Sequence, residues 1–145
     1  MKVNIVFFRN DPFSQPNGFD MGGVVIESEN KKISSQENSS NSMMIYIAIA
    51  DLIFGVLEMR TKNTIYEFVG ADSSFCVNFK AKGNLLEIFQ KKGSKIVCKR
   101  DELLDSLCLA VDDFLSSGND LPVSDSVSSD LYLAVERLKR VKSTH

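Results

Sequence analysis

Apolar positions recur along this chain with two different periods, and the changes from one period to the other mark out its elements. Val3–Phe8 and Gly22–Glu27 are short apolar runs suited to strands. Asp11-Pro12 and Pro16-Asn17-Gly18 lie between them and favour turns, because proline fixes φ and Asn-Gly tolerates positive φ. Glu29–Asn41 is rich in Ser, Asn, Gln and Lys and has no apolar period, which predicts a flexible polar loop. Met43–Met59 is apolar except for Asp51 and Glu58, which share one helical stripe. With Ser42 placed to cap it, this run predicts a central helix packed on nearly all sides. Its first half, Met43–Ile49, is also compatible with a buried strand; periodicity does not decide between them, and the helix is the favoured reading.

Residues 64–98 read as an antiparallel meander. Phe75, Val77 and Phe79 fall on one face and Cys76, Asn78 and Lys80 on the other, the signature of a sheet with one wet side. Turn residues flank that strand, and Leu85–Phe89 and Lys95–Cys98 continue the sheet. The period then changes to 3.6. Over Asp101–Ser116, Leu103, Leu104, Leu107, Cys108, Val111, Phe114 and Leu115 form one helical face, with Gly118 as a C-terminal stop. After a loop around Pro122, Ser128 or Ser129 caps a third helix whose inner face is Leu131, Ala134, Val135, Leu138 and Val141. The whole predicts an α+β fold in one domain over 1–145, with an antiparallel meander packed against a buried central helix and two C-terminal amphipathic helices.

Charge changes this picture more than composition does. The formal net charge is only −2 over 145 residues. Yet Asp101–Glu136 holds nine acidic residues and no Lys or Arg, and Arg137, Lys139, Arg140 and Lys142 follow directly. A one-signed region attracts and steers oppositely charged partners. The N-terminal sequence lacks the apolar core and cleavage site of a signal peptide. Three cysteines at unpatterned spacings fit reduced thiols, so a cytoplasmic protein is expected. Met43–Met59 is short for a membrane span of ~20 residues, and Asp51 near its middle would cost roughly 2.5–3.5 kcal/mol, so no membrane association is expected.

Catalytic chemistry is thinly represented. His145 at the terminus is the single histidine, which removes the commonest general base and most zinc sites. Gly22-Gly23 lacks the residues of a phosphate-binding loop. Lys91, Lys92, Lys95, Lys99 and Arg100 form a small basic cluster that reads as a solvated hairpin tip, so no direct nucleic-acid binding is expected. Asp51, Glu67, Asp72 and Glu87 are carboxylates in or near ordered elements, but no spacing brings two together. Cys76 and Cys108 lack an activating base. No catalytic residue, metal or cofactor is expected.

A helical wheel places Asp105, Asp112 and Asp113 within ~80° of Glu102, opposite the leucine face, with Leu109 among them. An exposed leucine ringed by acids has the form of an interface hot spot for a basic partner. Solubility and helix-dipole complementation are the simpler account, but they leave the missing bases unexplained.

The layout also resembles bacterial immunity proteins of contact-dependent growth inhibition and related polymorphic toxin systems. The likeness runs through Ile49-Ala50-Asp51-Leu52-Ile53-Phe54-Gly55, through Phe68-Val69-Gly70-Ala71-Asp72-Ser73-Ser74-Phe75, and through Ser129-Asp130-Leu131 opening the last helix. The resemblance implies a small, cytosolic, non-enzymatic protein that binds a cognate toxin C-terminal domain, commonly a nuclease, and occludes its active site. Asp105, Leu109, Asp112 and Asp113 are then one candidate toxin-contacting patch, extended by Asp120 and Asp125. A small adaptor or secretion chaperone with an apolar face, and a carboxylate-based enzyme, are the alternatives.

Overall fold

The computed structural model describes residues 2–59 and 65–143. Strand β1 (Asn4–Arg9) alternates strictly, with Ile5, Phe7 and Arg9 turned inward and Asn4 and Val6 outward. It pairs antiparallel with β2 (Met21–Ser28), setting Ile5 opposite Ile26 and Phe7 opposite Val24. The other edge of β2 receives β3 (Lys31–Ser34) and, further along, β4 (Met43–Met44).

The 29–41 segment is thus more ordered than a polar loop. Ile33, its one apolar residue, is buried opposite Ile26. Two 3₁₀ turns follow, Ser35–Glu37 and Ser39–Asn41. Side-chain oxygens hold them: Ser34 Oγ accepts from the Gln36 amide and Asn38 Oδ1 from the Ser40 amide, each at 3.0 Å. Serine and asparagine here build local structure by bonding their own backbone.

The ambiguity over Met43–Ile49 resolves into both readings. Met43 and Met44 pair with Gly22 and Met21 as a strand, and α1 (Ile45–Glu58) begins immediately after. Ser42 is therefore not its cap; the Ser42 hydroxyl accepts from Asn10 Nδ2 at 2.7 Å. Backbone carbonyls from two loops meet the leading amides instead, Ala71 O for Met44 and Asp20 O for Ile45. Ile45, Tyr46, Ile49, Ile53 and Val56 on α1 are fully enclosed, as expected of a central helix.

The meander forms as predicted. Strands β5 (Ile65–Val69), β6 (Cys76–Lys82), β7 (Leu85–Phe89) and β8 (Ile96–Lys99) pair in chain order, all antiparallel. Their inner face, Phe68, Val77, Phe79, Leu86, Ile88, Ile96 and Cys98, is buried, with Phe68 opposite Val77 and Phe79 opposite Ile88. Helix α2 (Arg100–Phe114) follows β8 directly, and the Lys99 amide donates to Glu102 Oε1 at 2.9 Å across its first turn. A wide turn, Leu115–Asn119, closes α2, with Gly118 at φ 83° as the left-handed residue.

At the start of helix α3 (Ser128–Ser143), the hydroxyl of Ser128, one of the two expected caps, points back to the preceding loop. The Ser128 hydroxyl donates to the Val123 and Asp125 carbonyls, while Asp125 Oδ1 accepts from the Val127 amide at 2.9 Å. Helix α3 packs against α1 and α2; α2 lies over β1, and α1 touches both sheets. Leu103, Leu107, Val111, Leu131, Ala134 and Leu138 join the α1 side chains in one contiguous core, so the α+β architecture stands. Among the described residues, no helix is long and apolar enough to cross a membrane.

Candidate protein-binding surface

Helix α2 buries its leucine face on β1 and α3 and leaves Asp105, Leu109, Asp112 and Asp113 exposed, Leu109 at 62%. These four residues therefore share one exposed helical face. Its charge, however, is not one-signed. The last turns of α3 lie alongside, setting Lys142 Nζ 3.0 Å from Asp105 Oδ1 and Lys139 Nζ 3.0 Å from Asp112 Oδ1. The Asp105 carboxylate in turn holds the Lys142 ammonium above the ordinary lysine range. Exposed pairs of this kind stabilise by at most about 1 kcal/mol, so a partner can break them.

The acidic character concentrates further along. Asp112, Asp113 and Asp120 line one open cleft of about 420 Å³ together with Leu115, Ser116, Tyr132 and Lys139. Among the described residues, ion pairs reach Asp112 but neither Asp113 nor Asp120. The Tyr132 hydroxyl is enclosed and makes no hydrogen bond among the described residues.

Asp125 lies apart from that cleft, and both its oxygens hold backbone. Oδ2 accepts from the Gly18 amide and Oδ1 from the Val127 amide, each at 2.9 Å. It locks the 10–20 loop to the loop before α3. A second lock is Arg9, whose side chain is 1% exposed. Its Nε donates to Asn119 Oδ1 at 2.8 Å and Nη1 to Asp20 Oδ2 and Ser14 Oγ, both at 3.1 Å. Its Nη2 donates to the Pro12 and Ser14 carbonyls. Tyr46 completes the junction by donating its hydroxyl to the Asn119 carbonyl. Burial pushes the Tyr46 phenol up to about 12, so it remains a donor across the physiological range.

No protein-family model, curated protein or solved structure matches this chain. The sequence identified α2's acidic face but did not single out the buried Arg9, Tyr132 or the loop residues Phe13 and Val123, each 96% exposed. Arg9 had a signal, since it occupies the inward parity of β1 after Ile5 and Phe7. Tyr132, Phe13 and Val123 had none.

The remaining reactive groups are quiet. Burial, and then the hydrogen bond to Glu67, hold the Cys76 thiol above its ordinary value. Burial likewise raises Cys108 and pushes Cys98 up to about 11, so all three are thiols at neutral pH. Cys76 and Glu67 border a second open cleft, of about 480 Å³, with Gln90, Lys91 and Lys92.

Asp51 sits at the exposed margin of α1, and its carboxyl is held above the aspartate range by burial and then by the charge of Asp130 on α3. The folded form thus binds this proton more tightly than the unfolded chain. The resulting penalty is absent below the ordinary aspartate range, grows as pH rises through the raised folded value, and is full at neutrality. Asp51→Asn is expected to raise the thermal midpoint at pH 7 by an amount equivalent to a few tenths of a kcal/mol, solvent screening the rest. The gain should vanish near pH 3; an equal gain at both pH values in calorimetry would exclude the charge as its cause.

Proposed function

We propose that this chain is an immunity-type inhibitor, a non-enzymatic protein that binds a cognate toxin domain and occludes its active site through acidic surface. The observation that carries this reading is the convergence of Asp112, Asp113 and Asp120 on one open cleft, with the exposed Leu109 on the same helix. Carboxylates arranged beside an apolar anchor suit a basic groove, such as a nuclease presents to phosphates. They occupy the groove as phosphate would, and their field accelerates the encounter. The resemblance in layout to immunity proteins supports the same assignment and a cytoplasmic site of action.

The carboxylate-enzyme alternative asks for a pocket holding Asp51 or Glu67 beside a second acid. Glu67 instead shares its cleft with Lys91 and Lys92, and Asp51 meets Asp130 at an exposed helix margin.

The test is co-expression with the C-terminal domain encoded by the reading frame immediately upstream in the source genome, inactivated where it is toxic. A stoichiometric complex that weakens with salt is the expected result. No complex, with that domain harmless when expressed alone, would turn the assignment toward an adaptor. Within the complex, Asp112→Asn combined with Asp113→Asn should lower the association rate several-fold at low salt and flatten its ionic-strength dependence, leaving dissociation nearly unchanged. An association rate indifferent to both substitutions would remove the cleft from the interface.

A further inference from the structure

We propose that the loops 10–20 and 119–125 form the apolar anchor of the interface, with Phe13 and Val123 seating in a basic protein partner. This rests on the inhibitor reading above and adds to it a contact surface separate from the α2 face.

Phe13 and Val123 are each 96% exposed, and Phe19, on the same loop as Phe13, is 59% exposed. Single exposed apolar residues are ordinary on a protein surface. These differ because two nearly bare side chains stand on two loops that the fold clamps together through Arg9 to Asn119 and Gly18 to Asp125. No packing requirement explains the phenylalanine, since the turn around it is made without its ring. Asp11 Oδ1 accepts from the Phe13 amide at 3.1 Å, and Arg9 Nη2 donates to the carbonyls on either side of Phe13, those of Pro12 and Ser14. The phenyl is therefore presented from a fixed backbone. Fixing a contact residue in advance removes ordering entropy from the cost of binding, and a phenyl ring is among the largest apolar surfaces a side chain offers.

Charge complementarity selects the occupant. The two loops carry Asp11, Asp20, Asp120 and Asp125 and no Lys or Arg; Arg9, just before the first loop, is turned inward onto Asp20, and Lys139 shares the α2 cleft with Asp120. An approaching surface meets phenyl and valine side chains on loops whose own charged residues, their acidic rim, are all carboxylates, Asp20 alone being paired with Arg9. That rim disfavours a second copy, which would set like charges opposite one another, and it disfavours an anionic lipid surface. A protein with a basic rim around an apolar socket fits. Asp120, on the second of these loops, also lines the α2 cleft.

The experiment measures binding of the inactivated toxin domain from the upstream reading frame to the wild-type chain, to Phe13→Ser combined with Val123→Ser, and to the Asp112→Asn, Asp113→Asn pair. Phe13 and Val123 lie outside the core, so their double variant should keep the wild-type thermal midpoint. Expected is a dissociation rate raised about 10- to 100-fold with the salt dependence of association retained, as for loss of apolar hot spots. A wild-type complex whose dissociation ignores both substitutions overturns the anchor and leaves the inhibitor reading intact. No wild-type complex overturns both. Sedimentation of the chain alone supplies the remaining arm: a dimer that Phe13→Ser and Val123→Ser dissolve would assign the surface to a second copy and overturn the basic partner.

Discussion

Arg9→Met is expected to lower stability by about 3 kcal/mol, near the bottom of the range for removing one partner of a buried charge network. The guanidinium is enclosed on β1 and serves Asn119, Asp20, Ser14 and two carbonyls. Methionine fills similar space but leaves those acceptors unmet, and a buried acceptor without a donor costs its full desolvation. Asp20 is one-quarter exposed and regains water, which keeps the loss from the top of the range. The effect should be regional as well as global. Hydrogen exchange at Phe13, Ser14 and the residues around Asn119 should accelerate beyond what the drop in global stability explains. Arg9→Lys should recover only part of the loss, because an ammonium cannot reproduce the planar fork. Urea unfolding that places Arg9→Met within 1 kcal/mol of wild type, by the usual linear extrapolation, would show the clamp to be dispensable.

Gly55→Ala is the second large effect, and its sign opposes helix propensity. Alanine in the interior of α1 should gain roughly 1 kcal/mol over glycine on propensity alone. The space is taken, however: a Cβ at position 55 would stand 2.0 Å from Tyr66 Cζ, with two further ring carbons within 2.4 Å. These are atoms of a rigid ring held at both ends. Tyr66 stacks on Phe79 with ring centroids 6.0 Å apart, and its hydroxyl donates to the Asp51 carbonyl at 3.1 Å. The ring can yield only by leaving that stack and separating β5 from α1. A net destabilisation of about 1–3 kcal/mol is expected, the usual range for overpacking a core. Gly55→Ala combined with Tyr66→Ala should then be less destabilised than the sum of the single variants, because the second change removes the obstacle. Strict additivity in that cycle would rule the ring out as the cause.

What could be read in the sequence follows from which forces leave a periodic trace. The leucine face of α2 and the Phe75, Val77, Phe79 alternation were legible because burial on one side of a regular element repeats with that element's period. Strand β3 was not, since Ile33 alone among the polar residues 29–41 gives no period to detect. The start of α1 was misplaced by two residues because Ser42 has the chemistry of a cap, whereas the pairing of Met43 and Met44 with β2 is a long-range choice. Charge was the most deceptive quantity. The acids of 101–136 and the bases after them are separate in sequence, but the packing of α3 on α2 brings Lys139 and Lys142 back onto Asp112 and Asp105. The sequence placed Asp120 and Asp125 together as extensions of one patch; the fold puts the first in the cleft and uses the second as a loop clamp.

The clamps also set an order of events during synthesis. Arg9 and Asn119 lie 110 residues apart, Gly18 and Asp125 lie 107 apart, and the Val3 carbonyl reaches Ser106 across 103. Closing contacts at such separation is entropically slow compared with forming a local meander. A nascent chain can pair β1 with β2 early, but Arg9 holds its charge without Asn119 until 110 further residues have been made. The Phe13 loop is fixed only then. Under the proposed interface, binding then requires the segment that holds Asn119 and Asp125, and a product lacking residues beyond 118 would titrate no partner.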